Sequence, residues 1–142
     1  MQTGEETELT QRPPTREAWP VGVKIADTSP MPDPTRAPLT GTHVRVRPVA
    51  ADADAAPLHA IAHGDPETEA LWTYMPYGPF EDEAAMRDWL ETCAASADPD
   101  FRVVTSAADG APLGMASYLN MVRADRRLEL GHIWYGPAAQ GT

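Results

Sequence analysis

The order of hydrophobic patterns along the chain predicts an α+β domain on a mainly antiparallel sheet. Three observations carry that expectation. Strand, helix, aromatic loop and helix come first, and three strands then follow in a run, unlike the alternating βαβ order of a parallel sheet. The last three strands are joined by turn-length connections, Ala108-Asp109-Gly110 and Arg123-Ala124-Asp125-Arg126, which suit an antiparallel meander. The 142 residues, 42% apolar and 23% charged, match a single globular domain and exclude wholesale disorder.

The elements follow in order. Residues 1–38 form a proline-rich arm: they hold Pro13, Pro14, Pro20, Pro30, Pro32, Pro34 and Pro38, which exclude helix and interior strand. Its one apolar patch, Trp19 to Ile25, alternates Val21, Val23 and Ile25. That patch reads either as a sticky spot in a linker or as an arm docking on the domain, and docking is favoured because a free patch invites aggregation. The domain proper spans 39–142. Thr42-His43-Val44-Arg45-Val46-Arg47-Pro48 alternates Val with Arg and predicts a short, half-exposed strand. Asp52 or Asp54 is placed to cap a helix reaching about His63, with Ala55, Leu58, Ile61 and Ala62 as its apolar stripe and Gly64-Asp65-Pro66 as its stop. An aromatic loop, Leu71 to Phe80, leads to the best-signalled helix. There Glu81, Asp82 and Glu83 occupy the first turn, and Met86, Trp89, Leu90 and Cys93 repeat at helical spacing. Two helices thus lie between the first and second long strands. Strands over Phe101–Ser106, Leu113–Val122 and Leu128–Tyr135 complete the set, the middle one rich in small residues.

Composition narrows the function. Twenty-one acids against eleven bases give a net charge of −10, so no basic face for nucleic acid is expected. No apolar run approaches the ~20 residues of a membrane span, and the acidic N-terminus lacks a signal peptide's pattern. A lone Cys93, placed on the apolar helix stripe, points to core packing and a reducing, cytoplasmic setting. His59 and His63 share one helix face, but Ala60 stands where a zincin motif has Glu and no third ligand is evident, so no metal is expected. Ser117 lacks the Gly-x-Ser-x-Gly elbow of a hydrolase nucleophile.

The stretch Leu128-Glu129-Leu130-Gly131-His132-Ile133-Trp134-Tyr135-Gly136-Pro137-Ala138-Ala139-Gln140-Gly141-Thr142 resembles the fourth strand and pyrophosphate loop of the GNAT N-acetyltransferase superfamily. The opening Leu39 to Pro48, the string Trp72 to Phe80 and the arm's Pro20-Val21-Gly22 resemble the branch that includes ribosomal-protein alanine acetyltransferases. The similarity covers nearly the whole chain but only the N-terminal half to two-thirds of the family's domain. The glycine that loop requires falls at position 143, so the resemblance implies a sequence truncated at the start of the pyrophosphate loop.

The resemblance implies acetyl transfer from acetyl-CoA, as co-substrate, to a primary amine by direct attack on the thioester. The amine belongs to a protein N-terminus, an amino acid or a small molecule. It implies cofactor contacts from Ile133, Trp134 and Tyr135, through backbone groups, and from Gln140, Gly141 and Thr142 at an anion-binding loop. Ordinary sheet pairing is the plain alternative for the strand. Glu129 stands where several members place the carboxylate that deprotonates the amine; a solvated glutamate beside Arg126 or Arg127 is its alternative. Trp72, Tyr74, Tyr77 and Phe80 lie where the family builds its acceptor wall, and aromatics there suit a cation; loop packing is the competing reading. A non-catalytic interaction domain that keeps part of the fold and binds no acetyl-CoA stays open beside the enzyme.

Overall fold

The first paired residues of the computed structural model, which describes residues 23–141, are Leu39–Thr40 (β1), a two-residue edge strand against Val44–Pro48 (β2). β2 keeps the Val/Arg alternation and ends at Pro48, whose missing N–H is harmless at a strand terminus. Asp100–Ser106 (β3), Pro112–Val122 (β4) and Arg127–Tyr135 (β5) follow. All neighbours are antiparallel and the sheet order is β1-β2-β3-β4-β5. The α+β expectation holds, with a two-residue strand added at the front.

Between β2 and β3 run two principal helices, α1 (Ala51–Ala62) and α3 (Glu83–Ala95), as the periodicity predicts. A one-turn α2 (Pro66–Glu69) stands between them and was not expected. Gly64-Asp65-Pro66 reads as a stop, yet Asp65 starts this turn. Its carboxylate accepts the N–H groups of Glu67 and Thr68, and Pro66 sits where no N–H is needed. The aromatic stretch opens as a 3-10 turn, Ala70–Trp72.

Helix starts differ from expectation in detail. Neither Asp52 nor Asp54 caps α1: the N-cap is Ala50, with no side-chain bond. Asp54 is buried inside the first turns, where it accepts Ala50 N–H at 2.7 Å and pairs with both terminal nitrogens of Arg47. The ion pair with β2 outweighs capping because it compensates a carboxylate removed from water. In α3, Asp82 is the cap, accepting Ala85 N–H at 2.8 Å, so only Glu83 of the three acids lies in the first turn.

Both long helices pack on one face of the sheet. Ala55, Leu58 and Ala62 of α1 and Met86, Leu90 and Cys93 of α3 are buried against Phe101, Val103, Met115 and Trp134. Ile61 and Trp89, expected on the same stripes, are half-buried at its margin. Strand alternation sends Arg102 and Val104 to the opposite face, where they line a groove of about 430 Å³ with Val44, Val46, Ala116 and Tyr135. No helix among the described residues is long and apolar enough to cross a membrane.

The arm meets the domain through polar bonds. Arg102, buried and paired with Asp100, donates to the carbonyls of Thr35, Arg36 and Ala37, and Arg36 in turn pairs with Asp100 at 3.1 Å. Farther out, Arg123 donates to Met31 O at 2.8 Å and pairs with Asp33, while Arg126 pairs with Asp27. The expected apolar docking is not what holds the described arm: Val23 is 96% exposed and Ile25 70%. Trp19 and Val21 lie outside the described residues. Prolines remove backbone donors, so the arm offers carbonyls, and the domain answers with arginines.

Replacing Asp100 by Ala leaves the Arg102 guanidinium buried without its carboxylate. We expect a loss of about 3 kcal/mol or more in urea unfolding, with easier proteolysis between residues 23 and 38. Wild-type stability in Asp100→Ala would show that the arm carbonyls alone satisfy Arg102.

Candidate active site

β5 is the last strand of the sheet, and among the described residues its outer edge has no strand partner. Its register against β4 slips: Met115 pairs with Trp134 but Ser117 pairs with Gly131, so His132 and Ile133 together oppose Ala116. This bulge puts His132 at φ +49°, the left-handed region, and turns its ring beneath the strand. Next to it the strands crowd together. A Cβ on Gly114 would lie 2.1 Å from the carbonyl oxygen of Trp134, so only glycine fits there.

The bulge decides what each predicted cofactor residue presents. Trp134 points into the core, Ile133 is 44% exposed, and Tyr135 lines the groove on the far face. The strand ends at Tyr135; Gly136, whose N–H bonds to Leu113 O, then leads into the turn Pro137–Ala139. The Gln140 amide donates back to Tyr135 O at 2.8 Å, so its side chain closes the turn. The N–H groups of Ala139 and Gln140 already bond to Gly136 and Pro137 carbonyls. Gly141 takes φ +72° with open space about it, and Thr142 lies outside the described residues.

Glu129 is placed at the other end of the strand, six residues or ~20 Å from Tyr135. It is exposed, faces Leu119 across the ladder, and accepts a 2.6 Å bond from the Asn120 amide. Asp98, Asn120, Arg127 and Glu129 line a small cleft there of about 360 Å³. The Asn120 amide, rather than Arg126 or Arg127, is its bonded neighbour.

Of the four aromatics expected in one wall, Trp72, Tyr77 and Phe80 touch one another and Tyr74 stands apart. Trp72 is 3% exposed and belongs to the core, its indole N–H donating to Ala62 O at 3.0 Å. Tyr74 is 96% exposed. Tyr77 and Phe80 are half-buried against Trp89, with ring centroids 4.4 and 5.1 Å away. The expected wall is a cluster in which Tyr77 and Phe80 bridge Trp72 and α3, with Tyr74 standing in solvent. Sequence could not sort them, because alternating prolines and rings give the stretch no period.

Two groups were missed. His132 stacks between Phe101 and Tyr77, centroids 4.9 and 6.0 Å away, and its Nδ1 lies 2.8 Å from Ser117 Oγ. Tyr77 Oη is buried there with no partner among the described residues, and burial raises its pKa, so it stays a hydroxyl. The only signal in sequence was a serine and a histidine on adjacent strands, which register alone brings together.

The second group is the histidine pair on α1. His59 and His63 stack at 4.2 Å and grip one residue: Phe80 N–H donates to His63 Nε2 at 2.8 Å, and His59 Nε2–H donates to Phe80 O at 3.3 Å. Both rings are committed to the loop, and no cluster of three or more metal-ligating side chains occurs among the described residues. Burial pushes the Cys93 thiol up to about 12, consistent with an inert core position.

His63 must be neutral at Nε2 to accept from Phe80, and its pKa is lowered chiefly by burial. A lowered value means the stabilisation is complete above the unfolded pKa near 6.5 and disappears as pH falls through the folded one. The melting temperature should therefore drop more steeply from pH 7 to pH 5 in the wild type than in His63→Gln, which cannot titrate. Parallel curves would remove His63 from the acid sensitivity.

Residues 43–142 match the family described as an acetyltransferase (GNAT) domain. Among solved structures, a GCN5-related N-acetyltransferase from Brucella melitensis is 28% identical, with a TM-score of 0.71 over 78% of this chain. A probable acetyltransferase of the GNAT family from Chromobacterium violaceum is 31% identical, with a TM-score of 0.73 over 87%. The chain spans 49% and 61% of the length of those two proteins. No curated protein matches it.

Proposed function

Because the chain belongs to the GNAT acetyltransferase family, we propose that it takes part in acetyl transfer from acetyl-CoA to a primary amine. The observation that carries this reading is the bulged, outward-facing edge of β5 running into the Gly136-Pro137 turn. An extended pantetheine arm is a peptide-like chain, and an open strand edge offers it alternating N–H and C=O groups. Ile133, Trp134 and Tyr135 would meet that arm through their backbone. Gln140, Gly141 and Thr142 would follow it toward the pyrophosphate.

The described residues suit the pantetheine arm better than the pyrophosphate. The latter needs several amides converging at a helix start, whereas Pro137–Ala139 is a three-residue turn whose following N–H groups are already bonded. Acetyl-CoA supplies an activated thioester. The chain's own contribution is to align the amine with it and to polarise its carbonyl by a strand amide. An acceptor amine arrives as a cation. Tyr74 offers a solvent-exposed ring, half-buried Tyr77 lies beside His132, and Glu129 with the net charge of −10 favours the cation's approach. We place the protein in the cytoplasm, where acetyl-CoA and free thiols coexist.

Release of free thiol from acetyl-CoA in the presence of amino acids, small amines and peptides with free N-termini tests the reaction. Amine-dependent release supports it. No release, together with no heat of acetyl-CoA binding, would leave a domain that keeps the fold without the chemistry. Within an active protein, Tyr74→Ala should raise acceptor KM about tenfold at unchanged melting temperature, since its ring touches little of the fold. Tyr77→Ala should lower the melting temperature as well, because its ring packs on Trp89 and Trp72. An unchanged KM in Tyr74→Ala would take that ring out of the acceptor site.

A further inference from the structure

We infer that His132 is the group that takes the proton from the acceptor amine, with Ser117 fixing its tautomer. The assignment rests on the acetyl-transfer reading and names the residue that does its proton chemistry.

The hydrogen bonds around Ser117 dictate which nitrogen is basic. Ser117 is almost fully buried, and its hydroxyl has one proton, which it donates to Gly131 O at 3.2 Å. With that proton so placed, we assign the 2.8 Å contact as His132 Nδ1–H donating to Ser117 Oγ. A neutral imidazole with its proton on Nδ1 carries its lone pair on Nε2. That nitrogen has no hydrogen-bond partner among the described residues, and His132 is half-buried rather than sealed in the core.

Placement agrees with that role. The bulge that sets the ring also exposes the adjacent Ile133 on the outer edge of β5, so His132 is next to the strand segment proposed to meet the acyl donor. Ring packing by Phe101 and Tyr77 holds the imidazole in one orientation. From the packed elements the groups facing it are Ser117 of β4, Phe101 of β3 and Tyr77 of the aromatic loop. Of these only Tyr77 titrates, and burial keeps it protonated. Among the described residues no carboxylate is bonded to the ring: Glu129 is engaged by Asn120.

An N–H bond of the ammonium breaks and its proton passes to Nε2, giving imidazolium and a free amine. The amine lone pair forms the C–N bond as the C–S bond breaks, the thiolate takes the second proton lost by nitrogen, and His132 returns its own to solvent.

The test uses the whole chain. Nitrogen NMR of the imidazole in the wild type should show the Nδ1–H tautomer, and Ser117→Ala should scramble it. The acid limb of kcat/KM should follow the titration of His132 measured by the same NMR. It should vanish in His132→Asn, with kcat about 10²-fold lower; asparagine tolerates a left-handed φ, so the bulge is kept. Glu129→Gln should keep the acid limb while raising acceptor KM. An Nε2–H tautomer in the wild type, or an acid limb that survives in His132→Asn, overturns the assignment and leaves acetyl transfer standing. Absence of amine-dependent turnover at every pH overturns acetyl transfer itself, and the assignment with it.

Discussion

Trp72 is the constraint on which the rest of the fold leans. Its indole N–H is satisfied by Ala62 O at the end of α1, and its ring lies 5.2 Å from Trp134, 5.4 Å from Phe80 and 5.2 Å from His63. One side chain therefore joins the last turn of α1, the loop into α3 and the final strand. The neighbouring loop must make room: a Cβ on Gly78, at φ +71°, would come within 2.5 Å of the ring, so a glycine is required. A large ring buried with its one polar atom paired contributes apolar area without a desolvation cost.

Rings continue outward from that centre. Phe80 and Tyr77 pack on Trp89, Trp89 on Phe101, and Phe101 on His132. The two ends of this path are both histidine sites, the stacked pair gripping Phe80 and the single imidazole under the β5 bulge. Placing titratable rings at the rim of an aromatic cluster keeps them partly desolvated but not sealed.

Away from the rings the organising force is charge. A chain with net charge −10 uses several of its few arginines where they are bonded: Arg47 to Asp54, Arg102 to Asp100 and three arm carbonyls, Arg123 and Arg126 to the arm's acids. The interior pairs join strand to helix and sheet to arm, where leaving a charge unpaired would cost most. The surface pairs near Asp27 and Asp33 are solvated and fix position more than they add stability.

Local pattern determined much of this protein by itself. Alternation and helical spacing place β2, α1, α3 and the β3–β5 meander within a residue or two, because each depends on neighbours in sequence. The run from Glu129 to Gln140 carries the family likeness. Tertiary structure decided what depends on partners distant in the chain. Which of four nearby rings is core is set by Trp134 and Ala62, and whether Asp54 caps or pairs is set by Arg47. His132 reaches Ser117 only because β5 holds one more residue than β4 at the bulge. The arm's attachment was misread for the same reason: an apolar alternation is visible locally, while carbonyls waiting for Arg102 and Arg123 are not. Periodicity records what a residue needs, and only the folded chain shows which distant group supplies it.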